Sequence, residues 1–226
     1  MPPSPTPTSA DLHADSAKEG TVPIMDRLKA ETRSAHEAAE AIPFNAALVA
    51  GRLPLARYVG QLATYAMVHT ELDARLAHAT HPAIRAVWRD DLAKAPLLER
   101  DLAALGQHGV SVPAPAMAAA HEFAGRVRSV AADRPVDLLG YLYVLEGSTL
   151  GAAILRQHLQ RALGLGDEGL HYYSPYGNAV MAHWKAFRQR MNEAPLAPAE
   201  QDSIVTSAVE AFDRIGAILR GLSDGL

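Results

Sequence analysis

The stretch Gly140-Tyr-Leu-Tyr-Val-Leu-Glu-Gly147-Ser-Thr-Leu-Gly151-Ala-Ala153 is the most informative part of this 226-residue chain. Read as a helix, it places its three glycines within about 40° of one another on the helical wheel. Each glycine inside a helix costs about 1 kcal/mol relative to alanine, so three on one face predict that something approaches the backbone closely. A neighbouring helix, a flat ligand and a flexible point in the helix are all compatible with this pattern.

Helical periodicity extends over most of the chain around this stretch, and no long alternating pattern indicates a sheet. We therefore predict an all-α fold, a single helical bundle over residues 23–226. Asp133 and Asn178 are candidate N-caps. Pro96 is expected to bend a helix, and Gly164 to end one. The predicted helices cover residues 24–41, 54–79, 83–105, 115–131, 133–163, 178–192 and 198–222.

Composition limits the possible functions. Hydrophobic residues make up 49% of the chain, enough for a packed core, and the net charge of −4 argues against nucleic acid as a partner. The chain has no cysteine, which rules out disulfides, thiolate metal sites and cysteine nucleophiles. No apolar run approaches the roughly 20 residues of a membrane span. Residues 1–22 are rich in Pro, Ser and Thr and predict a disordered tail, with a cytoplasmic location as the default.

The first predicted helix carries a histidine at the edge of its apolar face. His36 follows Thr32 by one turn and could point into a cavity between helices, where imidazole is the usual ligand of heme iron. Lys29 and Arg33 flank the same side and could bind heme carboxylates, while Glu40 could orient the imidazole. If no heme is assumed, Lys29, Arg33 and Glu40 are better explained as an ordinary solvated helix flank, and a lone helical histidine is more often a surface or partly buried residue. The apolar face itself comprises Met25, Leu28, Thr32, Ala35, Ala39 and Ile42.

A flat porphyrin lying between the first helix and the glycine-rich helix would account for both features. Its iron would bind His36 on one side. The glycines would leave the other side open for O₂, because no bulky side chain would stand in the way.

Four segments, in the expected order, resemble the heme oxygenase family. Residues 28–40 (LKAETRSAHEAAE) resemble its proximal helix, and residues 145–152 (LEGSTLGA) its glycine-rich distal helix. Residues 94–102 (KAPLLERDL) and 187–192 (FRQRMN) resemble further stretches of the family. The match spans about residues 28–219. The form Glu-Gly-Ser-Thr-Leu-Gly is most similar to bacterial members, including those that supply biliverdin to bacterial phytochromes.

The resemblance implies an enzyme for which heme is both cofactor and substrate. Heme would be opened with O₂ to biliverdin, CO and ferrous iron. The chain has no visible nucleotide-binding fingerprint, so electrons would come from an external donor such as a ferredoxin or a reductase. His36 corresponds to the axial ligand of the heme iron, and Glu40 to the acidic residue behind it.

The resemblance also implies the remaining heme contacts. Lys29 and Arg33 correspond to basic positions near the heme propionates, and Arg188 to another on a later helix. Gly147 and Gly151 correspond to distal glycines that touch heme. These residues complete the predicted site.

Two positions depart from the family pattern. Ser148 stands where many members carry an Asp that organises distal water, and Ala152 stands where a second glycine usually follows Gly151. A hydroxyl offers one donor and weaker acceptance than a carboxylate. We therefore expect backbone carbonyls and waters near Gly147 to carry protons, with Ser148 secondary. Its hydroxyl is expected at the cavity edge or on the carbonyl of Val144.

Two other functions stay open. A heme-binding carrier or sensor on the same fold would bind heme without turnover. A non-heme di-iron oxidase would need Glu-x-x-His pairs on facing helices, and the only such spacing, Glu168 to His171, lies in a glycine-rich loop. His69 and Glu71 are interpreted as helix-surface residues. Three tyrosines of the loop are interpreted as a pocket edge or as part of a simple turn: Tyr172, Tyr173 and Tyr176.

Overall fold

The computed structural model describes residues 22–106 and 111–226, and within them it contains helices, turns and no strand. This confirms the predicted all-α fold. The predicted tail lies outside the described residues except for Val22. Three 3-10 turns cover Asp90–Leu92, Pro135–Asp137 and Gly177–Ala179. The α-helices of the described part are Ile24–Glu31 (α1), Arg33–Glu40 (α2), Pro43–Val49 (α3), Leu55–Ala77 (α4), Pro82–Val87 (α5), Ala95–Leu105 (α6), Ala114–Asp133 (α7), Leu138–Gly147 (α8), Thr149–Leu163 (α9), Val180–Glu193 (α10) and Pro198–Leu222 (α11).

The core lies between α4, α7, α8 and α11, which form the most extensive helix–helix contacts. Tyr58, Phe123 and Tyr141 are its largest fully buried side chains in these helices. Burial of one such ring contributes roughly 1.5–3 kcal/mol. Helix α11 begins and ends where the sequence predicts, and its apolar stripe packs against both α8 and α2. Helix α11 therefore fixes the positions of α2 and α8, the two helices of the candidate site, relative to each other.

The predicted helix 24–41 is wrong as a continuous element, because it is interrupted at Thr32. The Thr32 hydroxyl donates to the carbonyl oxygen of Leu28 at 2.7 Å, a side-chain bond that bends helices. Backbone hydrogen bonds still run through the bend, from the Thr32 amide to Leu28 and from the His36 amide to Thr32. As a result, His36 lies on a separate helix, α2, which packs against α11.

The predicted helix 83–105 is likewise divided, into α5, a 3-10 turn and α6. Pro96 does not bend a helix: it lies in the first turn of α6, where proline fits without losing a hydrogen bond. The buried Asp73 carboxylate, from α4, accepts the backbone N–H groups of Lys94 and Ala95 at 2.8 and 2.9 Å. A carboxylate from a helix about 20 residues earlier in the chain thus accepts the first N–H groups of α6.

The predicted helix 133–163 begins late and is broken at Ser148, between α8 and α9. It does end at Gly164, whose φ of +64° favours glycine. Asp133 is the last residue of α7 and caps nothing downstream. Asn178 lies in a 3-10 turn and makes no capping bond to α10. Both N-cap predictions are therefore wrong.

No single described helix is long and apolar enough to cross a membrane. Residues 135–152 and 154–163, inclined by 62° to each other, meet that test only when taken together, by length and composition.

Candidate active site

The imidazole of His36 is held in position by its neighbours and is also accessible. Its side chain is 56% exposed, and its ring packs edge-on against Phe212 of α11, with centroids 5.6 Å apart. Its Nδ1 lies 3.6 Å from a carboxylate oxygen of Glu40. Among the described residues, Nε2 has no hydrogen-bond partner. The ring is therefore held from one side and free to bind a ligand on the other.

The three predicted cations lie on different helices. Arg33 of α2 pairs with Glu37 at 3.0 Å, and Arg188 of α10 pairs with Asp26 at 2.9 Å, all four side chains being substantially exposed. Lys29 of α1 is exposed and forms no ion pair within the described part of the chain. Exposed pairs contribute under about 1 kcal/mol each, so an anionic ligand can replace these carboxylates at small cost.

Helix α11 packs against both α2 and α8 and so brings the two candidate helices together. Burial raises the pKa of Tyr143 in α8, and both the Thr32 hydroxyl and the Arg188 guanidinium beside it oppose that rise. His36 follows Thr32 by four residues, and Gly147 follows Tyr143 by four residues. The two members of each pair therefore lie on the same helical face. His36 and Gly147 are thus each one helical turn, about 6 Å, beyond Thr32 and Tyr143.

The three glycines have different surroundings. A Cβ on Gly140 would overlap the Ser207 side chain of α11, so here the glycine serves close helix packing. A Cβ on Gly147 would touch the Trp184 ring at an ordinary 3.6 Å. A Cβ on Gly151 would meet nothing within 4 Å, and this residue is exposed. The helix-packing interpretation is correct for Gly140, whereas Gly151 presents open backbone.

Ser148 lies at the break between α8 and α9 and is exposed. Its hydroxyl folds back onto the helix, but onto the carbonyl of Leu145 at 2.7 Å rather than that of Val144. The predicted return of the hydroxyl onto its own helix is therefore found, but the predicted acceptor, Val144, is wrong.

Aromatic side chains of α8 and α10 line the space next to Gly147. Trp184 stacks on Phe187 with ring centroids 5.5 Å apart and lies 6.1 Å from the ring of Tyr143. Open glycine backbone, an aromatic wall, a free imidazole and cations around the edge are the features that a flat, dianionic, metal-bearing ligand requires. The residues present therefore fit heme.

Sequence reasoning missed a buried ion pair beside these glycines. The Lys94 ammonium donates to the Glu146 carboxylate at 2.7 Å, and both side chains are at most 3% exposed. The Tyr176 hydroxyl contacts both groups, at 2.8 and 3.0 Å. One signal was available, because Glu146 is the only charged residue within the apolar run of α8. The network ties α8 to the segment before α6 and to the loop before α10.

The interpretation of His69 as a surface residue is wrong. His69 is 2% exposed, and its Nε2 lies 3.4 Å from the Tyr172 hydroxyl. Burial, together with the nearby Lys94 charge, lowers the pKa of His69 to about 3, so the ring is neutral near pH 7. Glu71 is partly exposed and pairs with two arginines, as a helix-surface residue does: Arg75 and Arg128.

The glycine-rich loop is more than a turn. Tyr172 and Tyr173 are buried in the core, and Tyr176 belongs to the ion-pair network described above. Glu168 pairs with an arginine and His171 with Asp101, so they do not form a common ligand pair. Across residues 22–106 and 111–226, no three His, Asp or Glu side chains are grouped to hold a metal ion. The di-iron alternative is not supported.

Comparison with known proteins extends the resemblance to nearly the whole chain. A family model described as heme oxygenase matches residues 22–221. Heme oxygenase 1 of Synechocystis sp. is 26% identical over 195 residues, covering 85% of this chain and 81% of that protein. Heme oxygenase 1 of Pongo abelii is 24% identical, covering 84% of this chain and 68% of that protein.

Solved structures show the same fold. Heme oxygenase-1 from Synechocystis sp. PCC6803 in complex with heme has a TM-score of 0.80 and 25% identity, covering 88% of this chain and 91% of that one. Heme oxygenase from Leptospira interrogans has a TM-score of 0.79 and 22% identity, covering 88% and 99%. Because the family model matches far more than half of its residues, this chain belongs to the heme oxygenase family.

Proposed function

We propose that this chain binds heme between α2 and the α8–α9 junction and opens it with O₂ and external electrons to biliverdin, CO and ferrous iron. One observation carries the proposal: His36 on α2 presents a free imidazole, and Gly151, just beyond α8, presents open backbone, while α11 packs against both α2 and α8. Heme supplies the redox chemistry and is itself the molecule cleaved, so the protein contributes binding, orientation and control of protons.

His36 is the proposed iron ligand. Its Nε2 lone pair is available in the neutral ring, and Glu40 faces Nδ1, which favours the tautomer with the proton on Nδ1. The edge-on contact with Phe212 limits rotation of the imidazole. An imidazole held in this way would fix the orientation of bound heme relative to α2.

Gly147 and Gly151 are proposed to touch the porphyrin from the opposite side. Without side chains, their backbone can approach the ring closely and leave room for O₂. The Ser148 hydroxyl already donates to the Leu145 carbonyl, which supports a secondary role for it. Backbone carbonyls and waters near Gly147 are the proposed groups that hold protons at this face.

Lys29, Arg33 and Arg188 are proposed to hold the heme carboxylates. Two of them now pair with exposed carboxylates that a propionate would replace. Since each exposed pair is weak, their main effect is to set the rotation of the ring and therefore which edge is attacked.

Addition of hemin to the purified chain tests the proposal. We expect a Soret band at one heme per chain, then its loss and the appearance of biliverdin absorption and CO when a reductant is added under air, with catalase present to remove free peroxide. A Soret band that persists through reduction would indicate the carrier or sensor instead. Absence of heme binding would refute both functions.

The partners belong to the same proposal. An external electron donor, a ferredoxin or a reductase, is inferred because the sequence has no nucleotide-binding fingerprint. A bacterial phytochrome as biliverdin recipient and a cytoplasmic location stay predictions from the sequence. Turnover with a ferredoxin system, compared with a chemical reductant, tests the first of these.

A further inference from the structure

The last turn of α8 is held by side chains from two other parts of the chain. The Glu146 carboxylate accepts from the Lys94 ammonium at 2.7 Å and from the Tyr176 hydroxyl at 3.0 Å. The Lys94 ammonium also donates to the Leu92 carbonyl, and the Lys94 backbone N–H donates to the buried Asp73 carboxylate of α4, each at 2.8 Å. Lys94 is therefore fixed at both its backbone and its side chain, and it holds Glu146 in turn.

Tyr176 connects the same turn of α8 to α10. Its ring stacks on that of His183 in α10, with centroids 4.0 Å apart and an angle of 8° between the planes. The next residue of α10, Trp184, is the side chain that a Cβ on Gly147 would touch. The network therefore ties the residue before Gly147 to the helix whose indole faces Gly147.

The segment that follows Glu146 is intrinsically weak as a helix. Gly147 and Gly151 each favour helix less than alanine would, and the helix is broken at Ser148 between them. Across that break, the Glu146 backbone carbonyl accepts from the buried Thr149 hydroxyl at 2.7 Å. The position of Glu146 is therefore passed on to the glycine backbone on both sides of the break.

Stability alone is a poor explanation for the Lys94–Glu146 pair. Both side chains are at most 3% exposed, and the desolvation of two buried charges offsets most of their attraction. Within the described part of the chain, Glu146 makes both side-chain bonds through Oε2, while its buried Oε1 has no hydrogen-bond partner. A buried pair that adds little stability can still specify one arrangement of the groups around it.

We propose that Lys94, Glu146 and Tyr176 are positioning residues, which together fix the glycine backbone of residues 147–151 relative to α10. The proposal rests on the proposed function, since the place of this backbone affects the reaction only if heme lies against it. The three side chains act through the backbone of α8 and do not touch heme, because they bond to one another.

Backbone amide exchange in the apo protein, measured by mass spectrometry, tests the positioning without heme. Tyr176→Phe keeps the ring and removes one hydroxyl from Glu146. Tyr141→Phe is the matched control, because it removes a hydroxyl that bonds to Glu210 at 2.9 Å from nearer the start of the same helix. Exchange over residues 147–152 should become about fivefold faster in Tyr176→Phe, the worth of one hydrogen bond, and stay unchanged in Tyr141→Phe. Exchange that responds equally to both changes, or only to Tyr141→Phe, would overturn the inference.

A paired substitution separates positioning from stability. Glu146→Leu leaves a buried ammonium without its carboxylate and should lower the unfolding midpoint, whereas Glu146→Leu combined with Lys94→Met should restore most of it. The double variant should nevertheless keep the faster exchange over residues 147–152. Exchange that returns to the wild-type rate together with the midpoint would show that the pair only stabilises the fold. If the double variant does not fold, the comparison of Tyr176→Phe with Tyr141→Phe decides alone.

Turnover with hemin gives the last measurement. Tyr176→Phe should lose about tenfold in turnover rate through misplacement of the glycine backbone, with little change in hemin affinity, and Tyr141→Phe should lose neither. Equal turnover in the two variants, in a protein whose wild type cleaves heme, would refute the inference alone. Failure of the wild type to bind hemin would refute the proposed function, and the apo exchange rates would still report whether the network holds the segment.

Discussion

The start of α8 and the α8–α9 junction both carry glycines, and the surroundings of these glycines differ. At Gly140 the backbone of α11 lies so close that a methyl group would overlap it. At Gly151, three turns further on, nothing lies within 4 Å. The break at Ser148 separates the two regions. The same residue type therefore allows close helix packing in the core and leaves bare backbone at the surface, and only the second use is available to a ligand.

The largest loss of turnover is expected from removing His36, the proposed iron ligand. This change tests which ligand lies against the open region at Gly151. His36→Ala should abolish turnover and change the ferric spectrum, because the iron loses its proposed ligand while apolar burial keeps some heme bound. The check is the absorption spectrum with hemin, followed by reduction under air. His121→Ala, which removes an exposed histidine from α7, is the control and should behave as wild type. A normal spectrum and normal turnover in His36→Ala would show that the open region faces another ligand.

The second prediction sets the two regions directly against each other. Gly140→Ala should destabilise the fold by about 2 kcal/mol, because the methyl group meets α11 backbone that must shift. Gly151→Ala should stabilise the apo protein by up to about 1 kcal/mol through helix propensity, and weaken heme binding. Denaturant unfolding and heme titration measure the two effects. Matching stability losses in both variants would contradict the distinction between packed and open glycines.

The sequence predicted the two glycine uses as alternatives, and the structure assigns one to each region. The all-α fold and the 198–222 helix were predictable because an apolar stripe and a first-turn proline are local signals. The breaks at Thr32 and Ser148 were not, since each depends on a side-chain hydroxyl returning to its own helix. The burial of His69 was also unpredictable, because the ring that covers it, Tyr172, comes 103 residues later.

The third prediction concerns Gly147, whose surroundings are less crowded than those of Gly140 and less open than those of Gly151. Gly147→Ala should be tolerated, because its methyl group would touch Trp184 at an ordinary distance. Gly147→Leu should fill the space for O₂ or for the ring and lower O₂ binding or heme affinity by about tenfold, which is the cost of roughly one poorly accommodated side chain. Loss of thermal stability alone, with normal heme affinity and turnover, would place Gly147 with the packed glycines.

The smallest effect on heme affinity is expected from removing the three cations that are proposed to bind the heme carboxylates. Replacing Lys29, Arg33 and Arg188 together with Gln removes the proposed carboxylate partners, each worth under about 1 kcal/mol because they are exposed. Heme affinity should therefore fall only slightly. The orientation of the ring should change more, since opposing charges fix which edge of the porphyrin faces the glycine backbone. Chromatography of the biliverdin isomers measures this, with Arg126→Gln as the control, because Arg126 lies on α7 and pairs with Glu210 of α11. An isomer mixture identical to that of the wild type would show that packing against Trp184 and the glycines, and not charge, determines the orientation.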